Sequence, residues 1–377
     1  MIESPNFLWT ILFFVLAISP LVFIHEMGHY LVGRWCGVKA EAFSIGFGRA
    51  IAKWTDKRGT AWQIGWLPLG GYVRFAGDMG VSSQSDPNWL KLPPEERNRT
   101  FQSKALWQRT LIILAGPLTN FLFAIIVFIA LFGTIGEPRT PPVIAIIERG
   151  SAADAAGLKL GDKILAVDGA TITTFEDIAR IVSIHPNERL AIGIERAGQT
   201  VDLAATPRVD ILKDRFGNEM RRGLLGIGPA KRVYVKPPLI ELPGAAIRFT
   251  IGSVQTMATT LWQVVSGARS IKELGGPVRI AKISGEQATL GPIEFLWLMT
   301  MISINLGFIN LLPIPMLDGG HLLFYAIEAV RRKPVPAAAQ EWAYRSGLFA
   351  LLLFMVVVTV NDLAGLGLWR GIAGLIG

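Results

Sequence analysis

Cysteine is almost missing from this chain: Cys36 stands alone among 377 residues, which excludes an internal disulfide and says little about redox compartment. Charge is also scarce. Only 18% of the residues are Asp, Glu, Lys or Arg, 51% are hydrophobic, and the mean hydropathy is +0.42. That balance excludes an ordinary soluble domain and points to a chain that crosses a bilayer several times. The first apolar run, residues 7–24, carries no charge and is long enough to span. No Lys or Arg precedes it, so it lacks the basic start of a cleaved signal peptide. The net charge of +8 is read as a record of topology, and no nucleic-acid partner is expected.

Three further apolar runs, 110–136, 295–317 and 346–361, complete an expectation of four transmembrane helices. Residues 249–268 are also uncharged. Their apolar side chains recur at helical spacing, however, with Gln255, Thr256, Thr259, Thr260 and Gln263 on the other face. That pattern predicts an amphipathic helix lying on the membrane surface. Residues 36–109 hold eleven Lys or Arg against six acids, and Arg331-Arg332-Lys333 marks a second basic connection. Both are expected on the cytoplasmic side, with the N-terminus and the long 137–294 region outside. The expected divisions are 1–136 and 295–377 as membrane regions, 137–210 as a folded domain, and 211–294 as a linker carrying the surface helix.

Within the stretch LVFIHEMGHYLVG, residues 21–33, two histidines and a glutamate sit at the end of an apolar span. An ionisable group there is costly unless it has a partner or a cavity, so a function is expected. His25 and His29 are four apart, which stacks them on one helix face where they can share a metal ion. Glu26 is placed to take a proton from a water activated by that ion. The pattern His-Glu-x-x-His is a zinc-peptidase signature.

A third protein ligand must come from elsewhere, and Asp318, His321, Glu328 and Asp362 are the candidates near the ends of other spans. Asp318 lies in the most unusual context, NLLPIPMLDGGH at 310–321. Pro313 and Pro315 interrupt the helix, and Gly319 and Gly320 permit close backbone approach. Broken backbone at membrane depth is tolerated only where it lines a protein cavity. Asp318 then opens a new helix, where it could equally serve as an N-cap. Parity agrees with the ligand role: with 249–268 on the surface, Asp318 falls on the same side as the histidines. Asn305 and Asn310 also lie in an apolar run, where an amide serves either a substrate or a helix–helix contact.

With these motifs in view, HEMGHY in the first span and NLLPIPMLDGGHLL in a later one resemble the site-2 proteases. These are intramembrane zinc metalloproteases, and the bacterial branch that regulates sigma-E is the most similar. The resemblance implies one zinc ion held by His25, His29 and Asp318, with Glu26 as general base and Asn310 or Asn305 near the substrate. It also implies cleavage of a single-pass membrane protein, an anti-sigma factor or remnant signal peptide, in the bacterial inner membrane after a site-1-type protease has trimmed it. FSIGFGRAI with WQIGWLPLGGYVRF resembles the family's membrane-associated β-hairpin. Read alone, 62–75 suggests a hairpin turning at Pro68-Leu69-Gly70-Gly71. An open edge there would hold an unwound substrate as an added strand.

The segment from Pro141 resembles a PDZ domain, implying one such domain inserted on the periplasmic side of a polytopic α-helical membrane protein. A peptide groove is expected near Val143, Ile144, Ala145 and Ile146, with steric exclusion of bulky substrates as the other role. His185 is expected on this domain's surface. The competing functions are a non-catalytic membrane scaffold with a vestigial metal site, against which the intact Glu26 weighs, and a metal transporter. The latter lacks further ionisable residues along its spans.

Overall fold

The first apolar run continues as one helix through both histidines. In the computed structural model, α1 spans Phe7–Trp35, with the Asn6 side chain accepting from the Trp9 N–H at its start. Residues 6–78, 87–213, 219–231, 233–267 and 275–365 are described. They fall into two units, one made of Met1–Phe128, Phe249–Met257 and Ile271–Gly377, the other of Ile129–Arg248 and Ala258–Ser270.

In the first unit α1 is followed by two long strands, β1 (Ala40–Thr55) and β2 (Ala61–Phe75), that pair with each other. Their turn is at Asp56 to Gly59, not at Pro68 to Gly71 as expected. Asp56 Oδ1 accepts from the N–H groups of Arg58 and Thr60 at 2.8 and 2.9 Å, and Gly59 takes φ 82°. A short carboxylate that bonds its own downstream backbone makes the stronger turn signal. The Gly70-Gly71 pair serves a different purpose. It lies where β2 passes from one side of the near half of β1 to the other: Ala61 to Ile64 pair both with Ala52 to Thr55 and with Ala42 to Ile45, and Gly71 to Phe75 also pair with Ala40 to Ile45. Phe43, fully buried, stacks on Trp62 at 4.4 Å and meets Tyr30 and Phe23 of α1 edge-on. Burying such a ring is worth about 1.5–3 kcal/mol, and here it fastens the hairpin to α1.

A short helix, α2 (Pro94–Arg97), precedes α3 (Leu106–Thr134), the second long apolar helix. In the other unit the chain runs through β3 (Glu137–Arg139), β4 (Ile144–Ile147), α4 (Ala152–Ala155), β5 (Lys163–Val167), β6 (Ala170–Thr171) and α5 (Phe175–Ser183). There follow β7 (Leu190–Arg196), β8 (Gln199–Ala205), β9 (Arg208–Lys213), β10 (Glu219–Leu224), β11 (Ile227–Pro229) and β12 (Val233–Val235). The four-stranded sheet has the order β6-β5-β7-β8, and Ile164, Ile178, Leu190, Ile192 and Ile194 are its fully buried core. The expected end at 210 is too early. β11 pairs with β4, and Leu225 is buried in the same core as Ile164.

That pairing bears on the groove expected at Val143, Ile144, Ala145 and Ile146. One edge of β4 is occupied by β11, and on the other Ile144 exchanges hydrogen bonds with Gly161 and Asp162, while Ile146 is exposed. His185 is half-buried, its Nδ1 2.8 Å from the Ile181 carbonyl at the end of α5.

Residues 249–265 of the expected surface helix lie in α6 (Leu242–Val265), and residue 268 lies outside the described residues. The remaining helices are α7 (Pro277–Leu290), α8 (Pro292–Asn310), α9 (Asp318–Arg331) and α10 (Ala337–Gly365). Among the described residues, four helices are long and apolar enough to cross a membrane: α1, α3, α8 and α10.

Asp78, just past β2, is buried and accepts from Gln102 at 2.7 Å and from the Phe75 N–H at 3.2 Å. Burial pushes its carboxyl up to about 7 against these bonds. A carboxyl whose folded pKa is raised stabilises the fold at low pH and loses that contribution as pH climbs from its unfolded value through about 7. Asp78→Asn is therefore expected to flatten the decline in thermal stability of the detergent-solubilised protein between pH 4 and 7. The parent's extra slope should approach ~1.4 kcal/mol per pH unit. Parallel profiles for the two proteins would contradict this.

Candidate metal and catalytic site

The helical spacing of His25 and His29 puts both imidazoles on the face of α1 that meets the start of α9. His25 Nε2 lies 3.1 Å and His29 Nε2 3.5 Å from Asp318 Oδ2, and the two nitrogens are 3.3 Å apart. One ligand atom from each of the three residues lies within 4.8 Å of the others. His29 Nδ1 is 2.9 Å from the Ile112 carbonyl, an acceptor only, so Nδ1 carries the proton and Nε2 keeps its lone pair. Asp318 Oδ2 is buried without a hydrogen-bond donor. A lone-pair nitrogen, a second imidazole and an unserved carboxylate oxygen directed at one point form the donor set of a tetrahedral zinc site with an open position. The residues fit the ion.

Local sequence makes this convergence possible. Gly28 lets α1 approach α3 closely: a Cβ there would sit 2.6 Å from Thr119 Oγ1 and 2.9 Å from the Ala115 carbonyl carbon. Gly116 likewise leaves room for the His29 ring, which an alanine side chain would strike. On the other wall, the loop between α8 and α9 folds back over Gly319 and Gly320. A Cβ on Gly320 would lie 2.8 Å from the Pro315 Cα, and Met316 adopts φ 84°. The close backbone approach expected of the two glycines is thus present, and it aims Asp318 from the first turn of α9 at the histidines.

A cleft of about 570 Å³ opens beside these groups, lined among others by Glu26, Tyr72, Asn310 and His321. The Val73 backbone lies beside the Glu26 carboxylate, and Gly71 packs so near that a Cβ would be 3.1 Å from Glu26 Cγ. The near half of β2 therefore forms a wall of the cleft.

The four candidates for the third ligand are now separated. Asp318 meets both histidines. Glu328 pairs with Arg109 at 2.7 Å, and that guanidinium also covers the Tyr325 ring. Asp362 accepts from the N–H groups of Gly276 and Arg279, both at 3.0 Å, and so caps α7 from the last span. His321 lines the cleft but bonds Tyr344 through Nδ1 at 2.9 Å, and burial keeps its imidazole below the ordinary range. Of the two amides, Asn310 lines the cleft and Asn305 is not among the lining residues.

Asn120 escaped the sequence reading. It is fully buried on α3, with its side-chain nitrogen 3.1 Å from His25 Nδ1. The signal was available: it is the one asparagine in the run 110–136, as exposed to the cost of an unpaired amide in lipid as Asn305 and Asn310.

The profile of peptidase family M50 matches residues 13–354. A protein of Agrobacterium fabrum named as a zinc metalloprotease is 43% identical over 360 residues, covering 94% of this chain and 95% of its own. One of Rhizobium meliloti with the same designation is 42% identical over 367 residues, covering 95% and 97%. Metalloprotease MmpA of Caulobacter vibrioides is 36% identical over 395 residues, covering 98% and 99%.

Gly116→Ala places a methyl group against the His29 ring. It is expected to weaken divalent-cation binding at least about tenfold, in the range typical of a disturbed ligand surround, while leaving helix content unchanged by circular dichroism. Competition with a chromophoric chelator would measure it, and parent-like affinity would show that the ring has room to move.

Proposed function

The chain belongs to peptidase family M50, a zinc metalloprotease and multi-pass bacterial membrane protein, and from that premise we propose that it cuts single-pass membrane proteins within or beside their transmembrane segment. The observation that carries this reading is the meeting of His25 Nε2 and His29 Nε2, on a helix long enough to span, with Asp318 Oδ2 at 3.1–3.5 Å, and with Glu26 in the same cleft.

His25, His29 and Asp318 would hold the zinc ion. When bound, zinc supplies Lewis acidity toward a water molecule and toward the scissile carbonyl. Glu26 accepts the proton from the attacking water and returns it to the departing amine nitrogen. The close packing of Gly71 keeps it at the edge of the cleft. Asn310 donates an amide N–H to the substrate's carbonyl oxygen or backbone.

A transmembrane helix shields its peptide bonds with its own hydrogen bonds, so it must be unwound before hydrolysis. Gly70 to Val73 and Phe75 of β2 line the cleft next to Glu26, and an extended substrate segment laid along them would present its carbonyls to the site. Exposed Ile51, Trp54 and Trp66 on the hairpin suit a seat at the membrane interface. The folded unit between α3 and α6 is read as a periplasmic PDZ domain. With one edge of β4 taken by β11 and the other bonded at Ile144, its bulk supports the role of a filter against substrates with large outer domains. The active site then faces the cytoplasmic side of the inner membrane. The substrates are of the anti-sigma-factor or remnant-signal-peptide type, first trimmed by another protease.

Glu26→Gln should retain zinc yet lose at least ~10²-fold in cleavage of a reporter transmembrane peptide, the scale of a lost general base. Asp318→Ala should lose both zinc and cleavage. Persistent cleavage by the glutamine variant would remove Glu26 from its role, and full zinc occupancy in the alanine variant would remove Asp318 from the ligand set.

A further inference from the structure

α1 and α3 run antiparallel across the site: Ile24 is bonded by Thr119, Gly28 abuts Ala115, and His29 reaches Ile112. The two histidines are four residues apart, so the α3 positions behind them are one or two turns apart on a single face. Ile112 stands behind His29 and Asn120 behind His25. For His29 the partner is a backbone carbonyl, which leaves one tautomer. For His25 the partner is an amide, which can present either a donor or an acceptor.

In the orientation found, Asn120 turns its nitrogen toward His25 Nδ1 at 3.1 Å, while its Oδ1 is buried with no hydrogen-bond partner. Its backbone carbonyl accepts from Ser303 Oγ at 3.0 Å, which anchors this turn of α3 to α8. The two ends of an amide exchange places by a half-turn about the Cβ–Cγ bond, and they are nearly alike in size. A histidine that gives its Nε2 lone pair to a cation must carry its proton on Nδ1, and in metal sites that N–H is almost always given to an oxygen acceptor. No described backbone carbonyl is bonded to His25 Nδ1. The orphaned Oδ1 is one rotation from it.

We infer that Asn120 is a positioning residue for His25, accepting the Nδ1–H on its side-chain oxygen and so directing the Nε2 lone pair at the zinc ion. The inference rests on the reading of His25, His29 and Asp318 as ligands. It makes the two histidines unequal: the tautomer of His29 is set by the main chain, and that of His25 by a side chain that substitution can remove.

The test uses the full-length protein purified in detergent, with zinc affinity measured by chelator competition and the ligand field read from the visible absorption of the cobalt-substituted form. Four proteins are compared: parent, Asp318→Ala, Asn120→Leu and Asn120→Asp. Leucine keeps the branch at Cγ and removes the acceptor, and should weaken zinc about 10–100-fold and alter the cobalt bands. Aspartate offers only acceptors, and should hold zinc within about threefold of the parent or tighter. Parent-like affinity in Asn120→Leu would overturn the inference, as would equal losses in both variants, which mark a packing role. Should the leucine variant fail to fold, the aspartate variant decides alone: a tenfold loss there refutes the acceptor role. Failure of the parent to bind zinc more tightly than Asp318→Ala would instead sink the ligand reading, a separate result.

Discussion

The close approach of α1 to α3 is the constraint from which the rest of the site follows. Two glycines, Gly28 and Gly116, remove the side chains that would hold these helices apart. In lipid there is little hydrophobic gain from bringing apolar helices together, so contact depends on small residues and interhelical hydrogen bonds. Here the contact sets both imidazoles against α3, where Ile112 fixes one of them and Asn120 adjoins the other. It also explains why the glycine inside His-Glu-x-Gly-His belongs to the site without touching a ligand atom. It determines how deep the histidines sit.

The second wall is built differently. Asp318 is carried by a broken segment whose turns are made by two prolines and two glycines, and α10 closes behind it through Gly347, where a Cβ would lie 2.6 Å from the Pro315 carbonyl oxygen. Irregular backbone of this kind is stable at membrane depth only when protein surrounds it. The neighbouring polar groups are served in the same spirit. Asp362 caps α7, Glu328 meets Arg109, and Tyr344 meets His321. Each interaction joins elements distant in sequence and removes a carboxylate or imidazole from competition for the metal. Among the buried side-chain atoms of the described residues, the one carboxylate oxygen left without a donor is the one facing two histidines.

The hairpin completes the cleft through the two ends of β2, which both pair with Ala42 to Ile45 of β1. Gly70 and Gly71 lie where β2 crosses between those two pairings, and Gly71 packs against Glu26. A single domain feature thereby supplies both a wall of the cavity and backbone contact to the proposed base. The inserted unit is held by a separate apolar core, and its strands extend to Pro229 because β11 is needed to cover β4.

Much of this was legible in the chain. Long uncharged runs with few alternatives identified the spans, and an i, i+4 pair of histidines beside a glutamate, in a place where such groups are expensive, announced a metal site. Helical periodicity in an apolar segment is a local property, so sequence determined it without help. Which of Asp318, His321, Glu328 and Asp362 turns toward the histidines was open to the residues alone, because each is a plausible ligand until its neighbours are known. The strand pairing of β4, the turn at Asp56 and the station of Asn120 were beyond reach for the same reason. They depend on which distant backbone and side-chain groups arrive at a given point, and a buried polar atom takes its role from the partner that packing brings to it.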